Sequence, residues 1–176
     1  MGKVMAIIVI DMLKGFLEEG HPLYCGKRAR KIINPVRNLL SWKKSNEPII
    51  FLRDEHRKND PEFKMFPPHC IKGSDECKVI SELKEFWKKG IDVPKGTLSG
   101  FYKTRLDRVL KKKVRPKEKI TVVGVCTDIC VLYTVADLRS RYYEVIVPKD
   151  CVASFDENFH RFALKYMKKI LGAKIV

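Results

Sequence analysis

The sequence predicts an α/β fold: a three-layer α-β-α arrangement around a mostly parallel central sheet. Two observations carry this expectation. Short apolar, β-rich runs alternate with amphipathic stretches, and such alternation calls for parallel strands joined by right-handed crossovers. The apolar runs are also continuous, as suits strands covered on both faces. The 176 residues fit one domain spanning 1–176, and a hydrophobic content of 45% supplies a full core.

The elements follow in order. Val4 to Ile10 is the first run and stops at Asp11. Pro48 to Arg53 is the second and stops before Asp54. Ile120 to Val123 is the third, ending at Gly124, and Val145 to Val147 is the fourth. Lys174 to Val176 reads as a last edge strand. Helical spacing lies between them: Ile32, Ile33, Val36, Leu39 and Leu40; Val79, Ile80, Leu83, Phe86 and Trp87; Val131, Val135 and Leu138. Phe159, Phe162, Ala163, Tyr166, Met167 and Ile170 continue the pattern, with Ser154 and Glu157 as a capping box for that final helix. Glu55 to Glu76 is the least regular segment, and a loop of about 22 residues in a compact domain is commonly functional.

Lysine and arginine number 36 against 21 acids, a formal net charge of +15. A basic chain can bind nucleic acid. Here the lysines are scattered over helix faces ("SWKK", "FWKKG", "YMKKI") between apolar segments, and zinc-finger spacing is absent. The charge therefore reads as a solvated surface, and no nucleic-acid partner is expected. No apolar run approaches the roughly 20 residues of a membrane span, so no membrane partner is expected either. The opening "MGKVMAIIVID" is short, ends in an acid and lacks a small-residue cleavage site, which points to a cytoplasmic protein. The six cysteines (Cys25, Cys70, Cys77, Cys126, Cys130 and Cys151) then read as reduced thiols.

Ligands of an open α/β sheet sit beyond the carboxyl ends of its strands. Asp11, then Asp54 and His56, then Cys126 to Cys130 follow three predicted strand ends. Asp54 and His56 are two apart and point to the same side of an extended segment. His69 returns after a loop, stiffened by two prolines. One carboxylate and two imidazoles suit zinc or a similar divalent ion, although solvated loop residues produce the same pattern. Cys126 and Cys130 lack the second pair of a metal clip and stand one residue too far apart for a Cys-x-x-Cys motif. Cys130 falls at the expected start of the helix running to Leu138. Free N–H groups there stabilise a thiolate or hold an oxyanion; a buried, inert cysteine is the plain alternative. Lys95, in "VPKGTLSGF", is not singled out by spacing.

Taken together and in this order, "VIDMLKGF", "DEH" with "FPPHC", "PKGTLSGF", and "GVCTDICV" followed by "ADL" resemble the isochorismatase-like cysteine hydrolases. Within them the Asp-x-His and Pro-Pro-His elements resemble the nicotinamidase/pyrazinamidase group. The resemblance runs from about Val4 to the C-terminus. It implies the isochorismatase-like hydrolase fold. It also implies conversion of nicotinamide to nicotinate and ammonia in salvage of the nicotinamide cofactor, with pyrazinamide as a further substrate. The alternative within the superfamily is another small amide, a ureido compound or a vinyl ether.

Residue by residue, the resemblance implies Cys130 as the nucleophile that forms a thioester, Asp11 as general base and Lys95 as their cationic partner. It implies a cis peptide at Val125–Cys126, with the N–H groups of Cys126 and Cys130 as the oxyanion hole. One divalent metal, zinc foremost with iron or manganese as alternatives, is implied on Asp54, His56, Glu62 and His69. Phe16, Phe66 and Leu98 match substrate-pocket positions. Phe66 stands where many nicotinamidases have tryptophan, and Leu98 where an aromatic is common, so the pocket stays apolar with an altered shape. A homo-oligomer is compatible with the resemblance.

Overall fold

The first strand explains why the apolar runs are unbroken. All five residues of β1 (Ala6–Ile10) are buried. Ile7 and Val9 pack into one core, whereas Ala6, Ile8 and Ile10 pack into another on the opposite face of the sheet. A strand with both faces covered has no solvent side to mark with polar residues. The computed structural model describes residues 6–44, 47–114 and 118–176. The expected beginning of the first strand at Val4 lies outside the described residues.

In chain order, β1 is followed by α1 (Lys14–Leu17), α2 (Gly26–Ala29), α3 (Ile33–Ser41), β2 (Ile49–Asp54), α4 (Lys84–Lys89) and β3 (Ile91–Lys95). Then come α5 (Leu106–Lys113), β4 (Lys119–Val125), α6 (Leu132–Ser140), β5 (Glu144–Val147), β6 (Val152–Ala153), α7 (Glu157–Lys169) and β7 (Lys174–Ile175). The sheet order is β3-β2-β1-β4-β5-β7, with β6 paired to the end of β4. Every strand pair is parallel. Phe16, Leu17, Ala29, Ile33, Val36 and Leu40 cover one face. Leu106, Leu110, Val135, Leu138 and Met167 cover the other. The predicted three-layer α/β architecture is the one observed.

Several expectations need correction. The strand β3 was not expected, because its sequence "IDVPK" contains an acid and a proline. It forms at the sheet edge, where proline is tolerated because one side of the ladder has no partner. Val79 and Ile80 precede their helix. Val79 bridges Leu13, and the Ile80 N–H donates to the Met12 carbonyl at 3.1 Å. A 3-10 turn (Ser81–Leu83) then leads into α4. Asp156, not Ser154, caps α7: its carboxylate accepts from the N–H groups of Asn158 and Phe159 at 2.7 and 3.0 Å. The Ser154 hydroxyl donates instead to Asp128. The expected edge strand at the C-terminus is β7, beside β5.

Gly124 fixes the position of the segment that follows β4. Its φ is +118°, and a Cβ there would lie 1.9 Å from the Ile10 carbonyl oxygen. Only glycine lets β4 approach the end of β1 this closely. Among the described residues, no helix is long and apolar enough to cross a membrane.

Candidate active site

Parallel pairing brings the ends of β1, β2, β3 and β4 to one edge. Asp11 follows β1 with φ +50°. Its N–H donates to the Leu52 carbonyl at 2.9 Å, and its Oδ1 accepts from the Asp54 N–H at 2.9 Å. The Asp11 side chain is thereby fixed at the end of β2. Lys95 is the last residue of β3 and pairs in register with Asp54. Its Nζ lies 2.8 Å from Asp11 Oδ2, ion-pairs with Asp54, and lies 3.4 Å from Cys130 Sγ. All four residues are buried.

The chain leaves β4 through a cis peptide at Val125–Cys126, where the family resemblance implies one. A wide turn (Thr127–Val131) follows, in which the Val131 N–H reaches back to the Cys126 carbonyl at 3.1 Å. The helix expected to start at Cys130 begins two residues later, at Leu132, so Cys130 lies in this turn and not at a regular helix start. Turns of this π type frequently accompany functional sites.

The electrostatics differ from a preformed thiolate. Burial pushes the Cys130 thiol well above its ordinary range, and the charge of Lys95 only partly opposes this. Burial, with the charge of Asp54, also raises the Asp11 carboxyl to about 6 despite Lys95. Burial alone would lower Lys95, but Asp11 and Asp54 more than offset it and hold its pKa well above the usual value. The resting cluster is therefore a neutral thiol beside a carboxylate of raised basicity and a permanent ammonium. A thiol of this kind becomes nucleophilic as its proton leaves, and Asp11 is placed to take that proton.

A second cluster adjoins the first through Asp54. Asp54 Oδ2 lies 3.7 Å from His56 Nε2 and 3.5 Å from His69 Nε2, and the donor atoms of the three residues all lie within 4.8 Å of one another. Ligands about 2.1 Å from a shared tetrahedral ion would stand roughly 3.4 Å apart, close to the observed separations. His69 Nδ1 contacts the Pro67 carbonyl at 2.9 Å, which leaves Nε2 free to face Asp54. Neither ring nitrogen of the buried His56 makes a well-formed hydrogen bond. Burial would lower His56, yet Asp54 beside it raises the ring to about 9. Orphaned imidazole nitrogens around a buried carboxylate form a site that attracts positive charge, and the donor set fits a divalent metal.

Glu62 stands outside this mutually adjacent trio, although it is buried and borders the same space. Burial and the charge of Asp54 raise its carboxyl. Asp60 is the neighbour that sequence reasoning missed: its Oδ2 lies 3.3 Å from His56 Nδ1, and its Oδ1 accepts from the Glu62 N–H.

A small cavity connects the two clusters. Asp11, Asp54, His69 and Cys130 form its polar floor. Phe16, Phe66 and Leu98 line it, joined by Leu23, Ile129 and Phe155, which nothing in the sequence marked. The rings of Phe16 and Phe66 meet His69 edge-on at 5.8 and 6.3 Å. The space is closed to about 20 Å³, room for about one water. A larger groove of about 760 Å³, which Lys95 also lines, shares Glu62 and Leu98 with it.

A parallel sheet that presents a buried cysteine, a carboxylate and a lysine at its carboxyl edge is the plan of a cysteine hydrolase. Residues 5–175 match the isochorismatase domain, and the chain belongs to that family. Among solved structures, a pyrazinamidase/nicotinamidase from Streptococcus mutans UA159 is 32% identical, with a TM-score of 0.90, covering 98% of this chain and 99% of that one. A pyrazinamidase of Pyrococcus horikoshii in complex with zinc is 28% identical, with a TM-score of 0.86 and 98% of each chain covered. An N-carbamoylsarcosine amidase from Thermoplasma acidophilum is 30% identical, with a TM-score of 0.85, covering 98% of this chain and 95% of that one. The chain is thus an amide-hydrolase member of the isochorismatase family.

Proposed function

We propose that this chain, acting as one domain over residues 1–176, hydrolyses nicotinamide to nicotinate and ammonia in cofactor salvage in the cytoplasm, and accepts pyrazinamide as well. The observation that carries this reading is the junction at Asp54. One carboxylate joins the Asp11–Lys95–Cys130 cluster to the His56–His69 pair, so a reacting carbonyl and a ring nitrogen could be held at once. That the similar pyrazinamidase of Pyrococcus horikoshii is a complex with zinc supports the reading that this chain binds a divalent metal. Asp54, His56 and His69 would hold a divalent ion, zinc foremost, with Glu62 close enough to contribute through a shift of its side chain. When bound, the ion would supply Lewis-acid anchoring for a heteroaromatic nitrogen.

The protein's own groups then account for the chemistry. Cys130 Sγ attacks the carboxamide carbon as its proton passes to Asp11. The N–H groups of Cys126 and Cys130 receive the oxyanion. Asp11 delivers the proton to the departing nitrogen, ammonia leaves, and a thioester remains on Cys130. Water then gives up a proton to Asp11 and attacks the thioester, and the acid is released as the Cys130 thiol reforms. Lys95 keeps the carboxylate–thiol pair charge-balanced throughout. Because the closed cavity cannot hold a pyridine ring, substrate entry moves the wall. Phe155, 42% exposed, is the wall aromatic with most freedom to swing out.

The likeness to N-carbamoylsarcosine amidase, together with Leu98 where an aromatic is common, favours a second reading: another small amide or a ureido compound. Metal analysis coupled to a substrate panel separates the two. One metal per chain, lost in Asp54→Ala together with nicotinamide hydrolysis, supports the first reading. A metal-free protein that hydrolyses ureido substrates and leaves nicotinamide untouched supports the second.

A further inference from the structure

Among the described residues all six cysteines are free, and only Cys130 lends its thiol to the reaction above. The other cysteine bordering the cavity, Cys126, has a partner 101 residues away in sequence. Its Sγ lies 3.4 Å from the Sγ of Cys25, and both side chains are buried. Cys25 is held where the chain enters α2, its N–H donating to the Phe16 carbonyl at 2.8 Å. One thiol therefore belongs to the turn that carries Cys130 and the other to the segment that anchors the cavity wall at Phe16.

We infer that Cys25 and Cys126 form a redox modification site, at which a hydroperoxide small enough to enter the cavity joins them in a reversible disulfide that disables catalysis. The loss of catalysis rests on the proposed function; the bond itself does not. The chemistry balances as follows. One thiol takes the terminal oxygen of the hydroperoxide, giving a sulfenic acid and releasing water or an alcohol. The partner sulfur attacks the sulfenic sulfur and the S–O bond breaks. The hydroxide that leaves takes the partner's proton as water. Two thiols lose two electrons, the hydroperoxide gains them, and a dithiol reductant reverses the change.

Closing 3.4 Å to the roughly 2.0 Å of a disulfide requires a displacement of about 1.4 Å shared between the two residues. Movement of Cys126 displaces a proposed oxyanion donor. Movement of Cys25 pulls on Phe16. Misplacement on the order of 1 Å in a reactive constellation costs roughly a hundredfold in rate.

The test exposes metal-loaded wild-type protein and Cys25→Ser to hydrogen peroxide, blocks remaining thiols with an alkylating agent, and maps unreduced peptides by mass spectrometry. The expected result is a Cys25–Cys126 cross-linked peptide in the wild type, abolished by a dithiol and absent from Cys25→Ser, which starts at wild-type activity. Nicotinamide hydrolysis by the wild type should fall in proportion to that peptide while Cys130 stays alkylatable, and a dithiol should restore it. Cys25 and Cys126 recovered as separate alkylated thiols, with Cys130 alone oxidised, would overturn the inference. So would full formation of the bond without loss of hydrolysis. If untreated protein releases no ammonia from nicotinamide, the proposed function fails, and the peptide map alone decides whether the bond forms.

Discussion

The ammonium of Lys95 lies 2.8 Å from the carboxylate of Asp11 and is shared with Asp54, so one cation balances two buried carboxylates at the ends of neighbouring strands. Removing one partner of a buried ion pair strands a charge, at a cost of about 3–5 kcal/mol. Lys95→Met is therefore expected to lower unfolding free energy by about that amount and to abolish hydrolysis. Urea unfolding at neutral pH measures it. Unchanged stability would mean that Lys95 is not the counterion of this pair.

The two cysteines of "GVCTDICV" have different parts. Cys130→Ala should lose hydrolysis by at least ~10⁴-fold, the scale seen when a nucleophile is deleted. Cys126→Ala removes only a side chain whose backbone N–H is the proposed donor, and should lose less than about tenfold, far below the 10²–10³ of a lost donor. Equal losses in steady-state kcat/KM would reverse the assignment.

The raised basicity of Asp11 sets the acid side of the pH profile. Asp11 accepts a proton only when ionised, and its carboxyl titrates at about 6, chiefly through burial and then Asp54. Below that point the protonated form dominates, so kcat/KM should fall about tenfold per pH unit as pH drops. Above it the dependence on Asp11 vanishes. A profile that stays flat down to the ordinary aspartate range, about 4, would exclude Asp11 as the base.

Gly124 and Gly26 both have positive φ, +118° and +87°, yet their surroundings differ. An added Cβ at Gly26 meets nothing within 4 Å, so Gly26→Ala should cost only the backbone term, about 1–2 kcal/mol. At Gly124 the methyl would sit 1.9 Å from the Ile10 oxygen. Gly124→Ala should therefore lose more than about 4 kcal/mol, or fail to fold, and a comparison of melting temperatures tests the contrast.

The parts of the fold that were legible in the sequence were those with an unbroken local signal. Val9 and Ile10 of β1 and Phe51 and Leu52 of β2 announced covered strands because each face of the sheet needs its own apolar row. The strand β3 was hidden: Asp92 faces the Arg53 guanidinium at 2.5 Å and Pro94 sits at an edge, so neither residue needs to look strand-like. The helix α7 was visible from its period, but its cap was misplaced because Asp156 outcompetes Ser154, whose hydroxyl is engaged by Asp128. In the site, Asp11, Asp54, His56 and Cys130 follow strands that could be seen. Lys95 was recognisable only through family resemblance, since its strand was not. Leu23, Ile129, Phe155 and Cys25 reach the cavity or its border through tertiary packing alone, and a lone apolar residue or thiol carries no local mark of that destination.

Ammonia release from nicotinamide by metal-loaded protein tests the central claim most directly. Steady turnover, with one nicotinate formed per ammonia and none from Cys130→Ala under the same conditions, is the result the geometry predicts. A folded protein with a full complement of metal that releases no ammonia from nicotinamide would contradict it.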